Sequence, residues 1–344
     1  MKQVAATALI LLLLFFLLPF LFIHSGPPGG GTPQATLPID RTVVSPVPSG
    51  PLDTETELKV LLPDGTAETM CMGDYLWRVV AAEMPASFEP EALKAQAVAA
   101  RTYAMRRIGH APAAHPDADV CTDHTCCQAY ITPEAAAANW GDDAPVYTAK
   151  IKAAVADTDG VVARYDGQLI DAVFFSSAAG RTVDAVEVWG NAVPYLTGVE
   201  SPEGEEVPNY HSTVQVTAEE FRAKFLAAHP DAKLEGAPSG WFGSVVHNSA
   251  GGVESIAVGG VSVSGGEMRT LFALRSTSFT LSVEGDTVTF SVTGYGHGVG
   301  MSQYGANELA RQGKTWQEIL TWYYADVTVG PAPETVQTAE SVVN

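Results

Sequence analysis

Between Val4 and Ile23 the chain runs twenty positions (VAATALILLLLFFLLPFLFI) without one charged side chain. A helix of that length matches the roughly 30 Å hydrocarbon core of a bilayer, whereas a soluble domain has few ways to cover so long an apolar run. The run exceeds the roughly 7–15 residues of a secretory leader's apolar centre, and no A-x-A-like site follows it. The expectation is an uncleaved signal anchor over 4–23, with a cleaved signal peptide as the alternative. Lys2 is the only charge ahead of it. By the positive-inside tendency, residues 1–3 would lie in the cytoplasm and everything from Ser25 onward outside: a single-pass protein of the cell membrane with an extracytoplasmic domain.

Residues 24–55 are rich in Pro, Gly, Thr and Ser without apolar periodicity, the composition of a flexible tether. Residues 56–329 alternate helical and strand signals, and 330–344 read as a polar tail. The chain as a whole is 46 % hydrophobic, and its central stretch is long enough to bury a core. The 19 Lys+Arg against 39 Asp+Glu give a net charge of −20, which argues against a nucleic-acid partner because phosphate binding needs a basic surface.

The local signals predict a single mixed α+β domain of short antiparallel strands and packed helices behind the N-terminal transmembrane helix. Tyr75, Leu76, Val79 and Val80 have helical spacing, and Pro85 stops that helix near Met84. Pro90 then opens a second helix carrying Leu93, Ala97, Ala100, Ala104 and Ile108. Val161–Tyr165, Asp166-Gly167 and Leu169–Phe175 read as a β-hairpin, and residues 243–292 as short strands with glycine turns. Thr315-Trp316-Gln317-Glu318 is a capping box opening a helix through Tyr323, and Gly313 suits the end of a helix from Ser302.

Three places could carry chemistry. Glu83 sits at the proline-terminated corner, and Lys94 and Arg101, seven residues apart, share one face of the helix that follows. Spacing alone supports an ordinary solvated face as well as a set of donors around a carboxylic acid. The run Gly294-Tyr295-Gly296-His297-Gly298-Val299-Gly300-Met301-Ser302-Gln303-Tyr304-Gly305 strips side chains from around His297 and lets backbone approach a ligand closely. It matches no phosphate-binding pattern. The cluster between His115 and Gln128 holds three of the four cysteines. His115, Cys121 and Cys127 form a zinc-type ligand set with His124 as a rival, leaving Cys71 and Cys126 as a disulfide; disulfides throughout are the competing reading. Neither H-E-x-x-H nor G-x-S-x-G is present.

Four blocks in order resemble the stage II sporulation protein D family of membrane-anchored peptidoglycan lytic transglycosylases. They are Val79 through Ala104; Cys127-Gln128-Ala129-Tyr130; Phe174-Phe175-Ser176-Ser177-Ala178-Ala179-Gly180-Arg181-Thr182; and Gly296 through Ala306. The likeness covers about 56–329. The third block departs from the pattern at Ala178-Ala179, where members often carry glycine or serine.

The resemblance implies that Glu83 is the catalytic acid, with Lys94 and Arg101 at positions important for activity, and that the His-Cys-Cys set holds zinc in some members. It implies cleavage of MurNAc-GlcNAc β-1,4 bonds with 1,6-anhydro ring formation during engulfment in endospore formation. It also implies as partners a peptide-removing amidase, stage II sporulation protein P, and a multi-spanning membrane protein, stage II sporulation protein M. His297, Gln303 and Tyr304 are expected to line the opposite wall of a glycan groove. A zinc-dependent peptidoglycan amidase or endopeptidase and a non-catalytic wall-binding scaffold are the competing classes.

Overall fold

The computed structural model of the chain describes residues 50–332. The expected span at 4–23, residues 1–3 and the tail from 333 lie outside the described residues, as does most of the expected tether. Among the described residues no helix is long and apolar enough to cross a membrane.

The fold is mixed α+β, with helices packed among several small sheets. Its centre is the Pro90–Met105 helix, which touches the helices Met72–Glu83, Ala144–Ala156, Gln303–Arg311 and Trp316–Tyr323 and the strand Val161–Tyr165. A helix hydrophobic all round is a buried one, and the alanines at 92, 95, 97, 99, 100 and 104 let neighbours approach from every side. That placement overturns the expectation of a free cationic face, because Arg101 has no solvent-exposed surface.

The prolines act as the sequence predicts. The Met72–Glu83 helix ends at Glu83, and Met84 before Pro85 is extended (φ −119°, ψ 144°). Pro90 sits in the first turn of the next helix. That helix stops at Met105, short of Ile108, in a tightened turn where Arg107 N–H meets the Ala104 carbonyl at 2.9 Å. Thr315 and Glu318 form the expected capping box ahead of Trp316–Tyr323.

Asp166 (φ 48°) and Gly167 (φ 77°) make the predicted turn, but the strand after it covers only Gln168–Leu169. Phe174–Phe175 leave that hairpin and pair parallel with Met301–Ser302, the far end of the glycine run. Val120–Cys121 is a second parallel partner, beside Glu57–Leu61. Parallel pairs therefore interrupt the expected antiparallel pattern. The last residues of the expected tether, Pro51–Glu55, are helical, and Thr328–Pro331 form a strand beside Val161–Tyr165.

Residues 211–293 build a second hydrophobic core of their own. Two three-stranded antiparallel sheets, His211–Thr217 with Phe279–Glu284 and Thr287–Thr293, and Phe242–His247 with Val253–Val258 and Val261–Ser264, enclose the Ala218–Ala228 helix. The Gly265–Phe272 helix, capped by Ser264, completes it where the sequence reading expected only strands. Phe221 stacks on Phe272 with centroids 4.6 Å apart. The chain enters and leaves this part at one point, where Gly294 N–H donates to the Tyr210 carbonyl at 2.8 Å.

Leaving it, the chain passes through the glycine run under the Phe174–Phe175 strand. Gly296 (φ 123°) lies so close that an added Cβ would meet Phe175 Cβ at 2.6 Å, and one at Gly300 (φ 77°) would meet the Val173 carbonyl oxygen at 2.2 Å. Backbone packs there where any side chain would collide.

Candidate active site

Glu83 is the last residue of its helix, where chain turns away at Pro85 and the carboxylate is left facing a groove of about 700 Å³. That is within the usual volume of a ligand site. One carboxylate oxygen accepts the Ala129 N–H at 2.7 Å and the other accepts Gln303 Nε2 at 3.2 Å. Burial nevertheless holds the carboxyl above its ordinary pKa, against the lowering effect of those two hydrogen bonds. The helix presents carbonyls rather than N–H groups at that end, which acts in the same direction. Among the described residues lining the groove, Glu83 is the only carboxylate.

The opposite wall comes from the glycine run. His297 Nε2 donates to the Phe174 carbonyl at 3.2 Å, while Nδ1 accepts the Val299 N–H at 3.2 Å. Burial, with Arg269 nearby, lowers its pKa to about 4, so the ring is neutral at pH 7. With both nitrogens committed, His297 serves as a wall packed between Phe175 and Trp189, at centroid distances of 5.5 and 5.6 Å, and not as an acid or base. Gln128 lines the groove with its Nε2 buried and unpartnered, while its Oε1 accepts from Tyr75 Oη at 3.1 Å. A buried donor without a partner at a ligand groove is a place for a ligand acceptor.

The structure thus brings Glu83, Gln303 and His297 together but leaves the two expected cations elsewhere. Lys94 pairs with Glu91 and Asp157, each at 3.0 Å. Arg101 grips Asp53 through Nε at 2.7 Å and Nη2 at 2.6 Å, and bonds the Val161 and Val155 carbonyls. It has no surface with which to touch a substrate; its charge is spent on closing the core over Pro51–Glu55. Tyr304 lies outside the groove lining and meets Phe88 edge-on with centroids 4.9 Å apart.

The ligating atoms of His115, Cys121, Cys126 and Cys127 all lie within 4.8 Å of one another. His115 Nδ1 bonds the Ala118 carbonyl at 2.9 Å, which turns Nε2 toward Cys127 Sγ at 3.3 Å. An oriented imidazole among three thiols has the chemistry of a closed tetrahedral zinc site. The expected set gains Cys126, which replaces the rival His124. Cys126 and Cys127 both converge because a tight turn folds their N–H groups onto the Asp123 carbonyl at 3.0 and 2.8 Å. His124 faces the groove instead, largely exposed. Cys71 and Cys126 are both free thiols, so the expected disulfide between them is not formed.

Sequence reasoning missed Glu203 altogether. This carboxylate is buried (4 % exposed), and accepts from Ala178 N–H and Ser201 Oγ at 2.6 Å each and from Ser302 Oγ. Ser201 Oγ in turn lies 2.7 Å from Tyr323 Oη. An added Cβ on Gly305 would strike Tyr323 Oη at 2.1 Å and Ser201 Oγ at 2.4 Å, which is why a glycine follows Tyr304. Glu203 lies in a loop with no periodic signal to reveal it.

Residues 65–165 match the protein family described as Stage II sporulation protein. The chain is 35 % identical to stage II sporulation protein D of Bacillus subtilis (strain 168), covering 96 % of this chain and 97 % of that one. It is 36 % identical to stage II sporulation protein D of Bacillus amyloliquefaciens over 78 % of this chain and 76 % of the relative. An amidase enhancer of B. subtilis (strain 168) is 29 % identical over 73 % of this chain and 39 % of its own length. Identity of this level over nearly the full length of both chains places this protein in the stage II sporulation protein D family.

Proposed function

We propose that this sporulation protein is a peptidoglycan lytic transglycosylase, cutting MurNAc-GlcNAc β-1,4 bonds with Glu83 as acid and then base. The observation that carries the reading is one half-buried carboxylic acid, held above its usual pKa, in a groove whose described lining offers no second carboxylate. Ordinary glycosidases need two. Here Glu83 gives its proton to the O4 of the departing GlcNAc as the C1–O bond breaks, and positive charge develops at C1 of MurNAc. The C6 hydroxyl of the same MurNAc attacks C1, and the Glu83 carboxylate takes the hydroxyl proton, restoring the acid. No water enters the products, a 1,6-anhydro end and a free 4-hydroxyl. Ala129 N–H and Gln303 Nε2 hold the carboxylate between its two roles. Gln128 Nε2 is the donor available to an N-acetyl carbonyl.

The four donors of His115, Cys121, Cys126 and Cys127 would hold zinc with no open position, which favours a structural ion over the catalytic metal of an amidase. Bound there, it would cross-link the turn that leads into Gln128 and Ala129. The likeness to an amidase enhancer supports a place beside a peptide-removing amidase; that this amidase is stage II sporulation protein P, with stage II sporulation protein M as a membrane partner, follows from the family resemblance alone. The charge-free span at 4–23 supports anchoring in the cell membrane with the domain on the outer side.

The test is incubation of the full chain in detergent micelles with purified glycan strands, with the products read by mass spectrometry. Anhydro ends are expected. Reducing ends would mean a hydrolase, freed peptides an amidase, and intact strands a scaffold.

A further inference from the structure

The second core contributes one arginine to the groove wall and a second behind it, against the wall residue Tyr295. Arg269, in the last turn of the Gly265–Phe272 helix, lines the groove and spends only its Nε on the protein, donating to the Leu274 carbonyl at 3.3 Å. Arg275 lies over the exposed Tyr295 ring at 4.0 Å with its Nε buried and unpartnered. Among the described residues neither has a carboxylate within ion-pair distance, whereas five of the other eight arginines, Arg78, Arg101, Arg106, Arg107 and Arg311, do. Glu267, the acid on Arg269's own helix, is taken by His229 at 2.8 Å.

Arg164, Arg181 and Arg222 are also without an ion pair among the described residues, but none of them lines the groove. Arg269 shares that lining with one acid, Glu83, whose carboxyl is held by Ala129 N–H and Gln303 Nε2, and with His297, which is neutral. A half-buried guanidinium favours a planar anion that both of its free nitrogens can grip.

We propose that Arg269, supported by Arg275 and Tyr295, binds a carboxylate carried by the glycan and thereby fixes which sugar faces Glu83. The inference rests on the glycan reading of the groove. On such a strand the two sugars differ in one charged group: the lactyl ether of MurNAc ends in a carboxylate, and GlcNAc has none. Gripping that group sets the register, so that C1 of MurNAc and not C1 of GlcNAc meets the acid. Arg269 is therefore a specificity-determining residue contributed by the second core to a reaction run by the first.

The test has a binding arm and a cleavage arm. In the Glu83→Gln full chain in detergent, calorimetry should show N-acetylmuramic acid binding about tenfold tighter than its methyl ester or N-acetylglucosamine, the equivalent of one charge-assisted contact. Adding Arg269→Gln should erase that difference and Arg269→Lys should restore part of it. No discrimination by Arg269, or discrimination that survives its loss, overturns the proposal whatever products the enzyme makes. In the cleavage arm, Arg269→Gln in the otherwise native chain should raise KM about tenfold on peptide-free strands, with little change in kcat. On strands whose lactyl carboxylates have been converted to amides it should leave KM unaltered. An equal rise on both overturns the proposal, and so does Arg269 dependence confined to strands with stem peptides, which would move the anion to a peptide terminus.

Discussion

Ser302 and Gln303 are neighbours in sequence, and they donate to two different carboxylates: Ser302 Oγ to Glu203, and Gln303 Nε2 to Glu83 at 3.2 Å. Because Ser302 also caps the Gln303–Arg311 helix, the turn that brings the Gln303 amide to Glu83 is pinned by a buried acid on its far side. Glu203→Gln removes one acceptor from a network of buried donors and is expected to cost about 2 kcal/mol in urea unfolding. In the folded fraction it should lower kcat while leaving KM nearly unchanged, because Gln303 loses its footing but the groove walls stay.

Glu83→Gln should abolish anhydro products, a loss of at least about a thousandfold, with strand binding retained. Burial raises the folded pKa of Glu83 above its 4.5 reference, so the stability linked to that proton is complete below pH 4.5 and is lost as pH rises through the folded value. The variant should therefore melt a few degrees above the native chain at pH 7 and together with it at pH 4. A native chain that is the more stable at pH 7 would contradict this. The same sign applies to activity, which should fall on the alkaline side as Glu83 loses the proton that it must donate.

His297 carries the opposite sign. Its folded pKa of about 4 lies below the 6.5 reference, so its stabilising contribution is present above pH 6.5 and is lost as pH falls toward 4. A loss of about 2 kcal/mol over that window is expected, allowing for the partial exposure of the ring. In His297→Asn, stability measured across the same window should fall by visibly less.

Arg101→Lys keeps the charge but loses the two-pronged grip on Asp53, and Asp53→Asn leaves a buried guanidinium without its counter-ion. Each should cost about 3–5 kcal/mol, measured by denaturant unfolding. Activity per folded molecule should be unchanged in both. A raised KM at full folding would instead put Arg101 back at the substrate.

Cys126→Ser should remove bound zinc as measured by elemental analysis, whereas His124→Ala should keep it, because only the former belongs to the cluster. Chelation should lower the melting temperature and activity together by freeing the turn that carries Ala129 N–H to Glu83, and added zinc should restore both.

The corner at Glu83 was legible because two prolines dictate backbone on either side of it, and the Thr315 capping box because its hydrogen bonds are local. Arg101 was misplaced because seven-residue spacing says which side chains share a face but not that the face is covered; the alanines that cover it were the signal. Cys126 was assigned to a disulfide with Cys71, and only the turn on Asp123 brings it into the cluster beside Cys127. Arg269, Gln128 and Glu203 owe their positions to contacts across the fold, which no periodicity carries. The glycine run was recognised for its conformational freedom, but its parallel pairing with Phe174–Phe175 is a long-range event that shortened the predicted hairpin.

The Arg101–Asp53 clasp also has a mechanical consequence. Leu52 and Asp53 N–H groups are held by Asp159 at 3.1 and 2.8 Å, and the Asp53 side chain is locked onto the central helix. Tension arriving along the chain from before residue 50 meets this anchorage first. It is shared between Asp159, after the Ala144–Ala156 helix, and Arg101, in the second half of the Pro90–Met105 helix, so two buried elements resist it together.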